Sequence, residues 1–203
     1  MTKPNFIFKI FLFIFALSAT NAFAQTENKP PTAEPTYEIV LQLVTASNAA
    51  SDKNAVSPAL AAVVKRLKTL YAFSDYRLTT TYFQRTSSSI EYKSLMNDIS
   101  SNADNSAPSF SDWSLRNLRV LPDSQGRKTI QFDSFRFGAR VPILAQNFKE
   151  ETGKAAPVIV YESIGITNSR FSLRENEPTI IGSLATAKAE ELMFLVLTVK
   201  AVE

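Results

Sequence analysis

The stretch Leu192-Met193-Phe194-Leu195-Val196-Leu197-Thr198-Val199 carries apolar side chains at odd and even positions alike. In an extended chain successive side chains point to opposite faces, so such a segment loses its apolar surface to water unless both faces are covered. It is predicted to be a central, buried strand rather than an edge.

The segments upstream alternate. Tyr37 to Val44 reads as a strand with Ile39, Leu41 and Leu43 on one face. Ala46 to Asn54 is small and polar, a loop. Ser57-Pro58 supplies an N-cap and a first-turn proline. The helix that follows, Pro58 to Tyr71, sets Leu60, Val63, Val64, Leu67, Leu70 and Tyr71 on one stripe, with Lys65, Arg66 and Lys68 mainly opposite. Such a stripe ordinarily covers the protein's own sheet. Tyr76 to Arg85 alternates again, with Tyr76, Leu78, Thr80 and Tyr82 on one face. Ile90 and Tyr92 suggest a hairpin partner for it beyond Ser87-Ser88-Ser89. Residues 37–95 thus read as a small β-α-β-β module, and residues 96–110, rich in Asn, Asp and Ser, as a polar linker.

Beyond the linker every element reads as strand: Trp113–Leu121, Lys128–Val141, Val158–Glu162, Ile166–Leu173, Thr179–Leu184 and Leu192–Val202. All five glycines lie in this half, at 126, 138, 153, 165 and 182. Each suits a turn, a bulge or a close backbone approach. Asp123 to Gly126 and Glu175 to Pro178 are the expected turns. The predicted class is α+β: the β-α-β-β module, then a mainly antiparallel sheet or sandwich over residues 111–203.

The chain starts with an address. Lys3 and Lys9 precede the run Ile10 to Leu17, and the segment closes on Ala22-Phe23-Ala24. A cationic start, a short apolar stretch and an A-x-A end predict a signal peptide over residues 1–24, whose uninterrupted apolar run of about 10 residues is too short to span a bilayer. Residues 25–36, with Pro30, Pro31 and Pro35, read as an extended leader. Removing two of the 22 cationic side chains leaves 20 against 19 acidic ones, a net of +1. No basic stripe remains to bind nucleic acid. The expected location is the periplasm or outer membrane, alternatively the extracellular space.

With 203 residues the chain contains no histidine and no cysteine. That removes soft-metal sites, thiol nucleophiles, Ser-His-Asp triads and disulfides. The carboxylate pairs Glu150-Glu151, Glu175 with Glu177, and Glu190-Glu191 fall in turns or strand starts, where charges are ordinarily solvated. Asp98, Asp104 and Asp112 lack the spacing of an EF-hand loop. No Ser precedes a Lys by three residues, and no two glycines lie closer than 12 residues, so neither S-x-x-K chemistry nor a phosphate loop is written here. Trp113, Phe132, Phe135 and Phe137 read as sheet packing, with a ligand-stacking platform as the alternative. Neither catalytic residues, cofactor nor metal is expected.

From about Arg136 onward the order of short motifs resembles the conserved domain of bacterial secretins, the outer-membrane proteins of type II and III secretion and type IV pili. Gly138-Ala139-Arg140-Val141-Pro142-Ile143 is similar to that family's glycine and Val-Pro-hydrophobic strand. Tyr161-Glu162-Ser163-Ile164-Gly165-Ile166 is similar to its tyrosine, acidic residue and Gly-Ile step. Pro178-Thr179-Ile180-Ile181-Gly182-Ser183-Leu184 resembles its "viGGL" strand, with Ser183 in place of a second glycine, and Glu190 to Val199 resembles its closing strand. Only five residues separate Leu184 from Glu190, where secretins carry a long gate segment. The resemblance therefore implies a truncated or accessory relative, non-catalytic and working through protein partners or self-assembly in protein secretion or pilus assembly. It marks Gly138, Val141, Pro142, Tyr161, Gly165, Pro178 and Gly182 as motif or interaction residues. The alternative function is a secreted β-sandwich module for a small ligand or surface polymer, which would require Trp113 and Phe135 to be exposed together.

Overall fold

The computed structural model describes residues 34–49, 56–96, 107–149, 155–186 and 190–202. The expected signal peptide and nearly all of the Pro-rich leader lie outside these residues. Strand β1 (Thr36–Ser47) buries Tyr37, Ile39, Leu41 and Leu43 at period two, as its alternation requires. It pairs antiparallel with β9 (Glu191–Val202) along its whole length, from Thr36 opposite Val202 to Ser47 opposite Glu191. With β2 (Asp75–Thr86) and β8 (Thr179–Ala185) these make a four-stranded sheet in the order β2-β1-β9-β8.

β9 is therefore interior, and the cover on its two faces differs. Met193, Leu195, Leu197 and Val199 point into a core shared with the second sheet. Phe194 and Val196 point the other way, beneath the helix. There Ser57 Oγ accepts the Ala59 N–H at 3.4 Å, Pro58 opens a short 3-10 turn (Pro58–Leu60), and α1 (Ala61–Leu70) follows. Leu60, Val63 and Leu67 are buried against Val44, Ala46 and Tyr76. The stripe stops short of the expected Leu70, which is 62% exposed; Tyr71 leaves the helix extended and sets its ring edge-on to Phe194 at 4.9 Å.

The second sheet is antiparallel throughout. β3 (Ile90–Met96) pairs with β4 (Ser109–Arg116), and β4 with β6 (Lys128–Lys149). β5 (Arg119–Pro122) continues the line of β4 along the same side of β6. β7 (Ala155–Arg174) takes the other side. Where β4 passes into β5, three strands change phase together. The inward residues step by three rather than two: Leu115 to Leu118, Phe132 to Phe135, and Asn168 to Phe171 on β7. Asn117 and Arg170 take positive φ, 56° and 50°, and Asp133 between them binds Asn117 Nδ2 at 2.8 Å and Arg119 Nη2 at 3.0 Å. One additional residue in each strand keeps the pairing register while bending the sheet.

The mainly β architecture with two antiparallel sheets agrees with expectation, but the expected strand Trp113–Leu121 is split into β4 and β5, and further details differ. The order strand, helix, strand, strand occurs over residues 37–95, but no separate β-α-β-β module forms: β1 and β2 belong to one sheet and β3 to the other, and residues 35–203 form one compact unit. β3 is not the hairpin partner of β2; it crosses to β4, and Tyr82, Tyr92 and Trp113 gather at that corner with centroids 5.5–6.4 Å apart. Tyr76 and Tyr82 do not share a face, because Thr79 bulges out of register opposite Leu43/Val44 and bonds Thr45 Oγ1 at 2.6 Å. Finally, the two strands expected on either side of Gly165 are a single strand, β7.

Candidate functional site

Five of the seven residues marked by motif resemblance lie on the β6–β7 hairpin. Gly138 and Gly165 are direct cross-strand partners, Val141 stands opposite Glu162, and Pro142 opposite Tyr161. Both glycines permit close approach. A Cβ on Gly165 would lie 2.4 Å from the Phe137 carbonyl oxygen, and one on Gly138 would lie 2.3 Å from Asp112 Oδ1. Gly182, on β8, meets the same region: its Cβ would fall 2.4 Å from Ile166 Cδ1. Asn168 Nδ2 donates to the Ile181 carbonyl at 2.7 Å and ties β7 to β8 there. Pro178 stands apart, in the turn before β8.

The same hairpin outruns its sheet. The last β4 residue paired with it is Phe110, opposite Arg140, whereas β6 and β7 stay paired with each other to Lys149 opposite Ala155. Among the described residues, 142–149 pair with β7 alone. That is a two-stranded ribbon roughly 25 Å long at about 3.4 Å per residue. Its core-facing row continues past the cover: Phe137, Ala139 and Val141 are buried, but Ile143 is 39% exposed and its cross-strand partner Val160 47%. At the ribbon's base Tyr161 donates its hydroxyl to the Pro108 carbonyl at 3.1 Å and sets its ring 5.7 Å from Phe110.

The other face of this sheet is shallow and mixes charged side chains with the exposed Leu95 and Tyr161. Gly138 and Gly165 leave it without side chains at its centre, and Arg116, Arg136, Arg140 and Lys93 rise around them. The cations came from strands of ordinary alternation, so no stripe in the linear sequence announced them; reading every second residue from Ser134 to Arg140 would have found two of the four.

The remaining candidates resolve separately. Glu191 Oε2 binds Arg77 at 2.6 Å, Glu175 accepts the Ala201 N–H at 3.0 Å, and Glu177 lies 3.4 Å from Arg174. Each of these carboxylates is held by its own partner. Glu150, Glu151, Asp98 and Asp104 lie outside the described residues. Among the described residues no group of three His, Cys, Asp or Glu could hold a metal ion, and no helix is long and apolar enough to cross a membrane. Trp113 and Phe135 are 1% and 0% exposed, inside the core, where Phe132 packs edge-on to Phe171.

No family model matches the chain, and no curated protein matches it. Among solved structures the chain is similar to InvG, the secretin of the Salmonella SPI-1 type III secretion injectisome, at 10% identity and a TM-score of 0.26, over 96% of this chain and 70% of that one. A structure of the Salmonella injectisome basal-body proteins InvG, PrgH and PrgK gives the same identity and TM-score, over 96% of this chain and 49% of the matched chain.

Proposed function

We propose that this protein is an exported, non-catalytic, secretin-like component that works at the periplasm or outer membrane through subunit or partner contacts in protein secretion or pilus assembly. The observation that carries the reading is the Ile143–Val160 pair. An apolar row that is core within the body runs on toward solvent along a ribbon whose two strands, among the described residues, pair only with each other, and an isolated two-stranded ribbon is marginal on its own. Covering what remains exposed of these side chains, 39% and 47%, contributes about 1 kcal/mol each, so a protein contact over the ribbon is favoured. The clustering of Gly138, Val141, Pro142, Tyr161 and Gly165 on that hairpin supports the same element. The absence of His and Cys, and the partners that hold Glu175, Glu177 and Glu191, support contact rather than chemistry. The sandwich binding module loses its platform, since Trp113 and Phe135 are core residues.

Cell fractionation followed by native mass measurement in mild detergent tests the proposal. The expected result is a species heavier than the monomer in the envelope fraction. A strictly monomeric, partner-free protein would contradict it.

A further inference from the structure

The outer face of the second sheet holds three depressions that run into one another. One of about 570 Å³ is flanked by Lys93, Phe110, Asp112 and Arg140. A second, of about 280 Å³, lies over Gly138 and Gly165 and shares Asp112 and Arg140 with the first. A third, of about 250 Å³, shares Asp112, Arg136 and Thr167 with the second and ends at Arg116. Together they form a trough running along the strands. Its floor is the glycine pair, bordered by Ser163 and Thr167.

The charge of the trough is one-sided. Four cations meet two acids, Glu91 and Asp112. Lys93 lies 3.2 Å from Glu91, and Arg136 is 3.9 Å from Asp112, beyond hydrogen-bond reach. Arg140 stacks over the Phe110 ring at 5.1 Å and, like Arg116, forms no ion pair among the described residues. Arg136 and Arg140 stand four residues apart on β6, roughly 13 Å along the strand.

From this we infer that the trough binds an acidic polysaccharide laid along the strands, a role beyond the partner contacts proposed for the ribbon. Two arguments select this occupant. The site is a sheet face, not an edge: β4 and β6 are paired on both sides beneath it, and the unpaired side of β7 points away from the trough, so a peptide strand laid in the trough finds no backbone to pair with. What the face offers instead is guanidinium forks and hydroxyls. The forks match carboxylate or sulfate groups in two-pronged geometry, and Ser163 and Thr167 suit sugar hydroxyls. Spaced cations suit a repeating anion better than a single one.

The test uses the exported protein with polygalacturonate as the probe, and neutral dextran and poly-glutamate as comparisons, by affinity electrophoresis at low and high salt. Polygalacturonate is expected to retard the protein, less so at high salt, and dextran not at all. The R136Q/R140Q double variant should weaken binding by about tenfold or more, through loss of charge-assisted bonds from exposed side chains. Ser163→Trp, which fills the floor without changing charge, should weaken it comparably. Lys65→Gln, on the far side of the helix layer, should leave it unchanged. No retardation by polygalacturonate, or equal loss in Lys65→Gln and the double variant, would overturn the inference. Poly-glutamate binding as tight as polygalacturonate would overturn the choice of a glycan. None of these results depends on the ribbon, and loss of ribbon contacts would leave them standing.

Discussion

At the scale of single residues the glycines make distinguishable demands. A methyl on Gly165 collides with the Phe137 carbonyl, fixed by pairing on both sides of β6, whereas one on Gly138 meets a carboxylate that can swing away, and one on Gly182 meets the far end of Ile166. Chemical denaturation should therefore rank Gly165→Ala as the most damaging, by roughly 1–3 kcal/mol, with Gly138→Ala and Gly182→Ala milder. An equal loss at all three would show that the close approach at Gly165 is not what that position requires. A second residue-scale prediction concerns acid. Asp123 is held below the usual carboxylate range, chiefly by the Arg127 backbone N–H at 2.9 Å, then by the Arg127 side chain and the Gln125 N–H. A carboxyl with a lowered folded value favours the fold above its unfolded value, near 3.9, and loses that contribution as pH falls through the folded value. Asp123→Ala should flatten the decline in melting temperature between pH 5 and pH 2 relative to the parent protein.

At the scale of elements, the alternation in the sequence made most strands legible, and the helix with its cap as well. What stayed hidden were the places where alternation is broken. The bulge at Thr79 separates Tyr76 from Tyr82, and the row Asn117, Asp133 and Arg170 re-phases three strands, yet neither Asn117 nor Arg170 is a glycine that would have marked the turn. Strand partnership was equally silent: Ile90 and Tyr92 declare an apolar face, but nothing local says which sheet receives it. The helix was legible as amphipathic, and β9 as apolar on both sides; these are one fact, since α1 covers the face of β9 that the second sheet does not. Leu67, 1% exposed, is the residue that seats α1. Leu67→Ala should cost about 2–4 kcal/mol in urea denaturation, against little for the exposed Leu70→Ala. Similar costs at both positions would mean that the helix does not dock as described.

At the scale of the whole molecule, the motif residues were legible as a set before their geometry was. Their spacing could not reveal that Gly138 and Gly165 face each other, because register is set by the pairing of β6 with β7. The order of elements suggested two consecutive pieces, but β1 completes the sheet of β9. A fragment of residues 107–203 should consequently fail to give a cooperative melt and should regain one when residues 34–96 are added; independent folding of the fragment would contradict the shared sheet. On the function proposed above, the two sheets hold out the β6–β7 ribbon for a protein contact. The most direct test places a photo-crosslinking side chain at Val160, on the ribbon, and in a second protein at Lys65, on the outer surface of α1, and irradiates intact cells. An adduct of discrete mass is expected from position 160 and none from position 65. Absence of adducts at 160, or the same adducts from both positions, would contradict the proposed function.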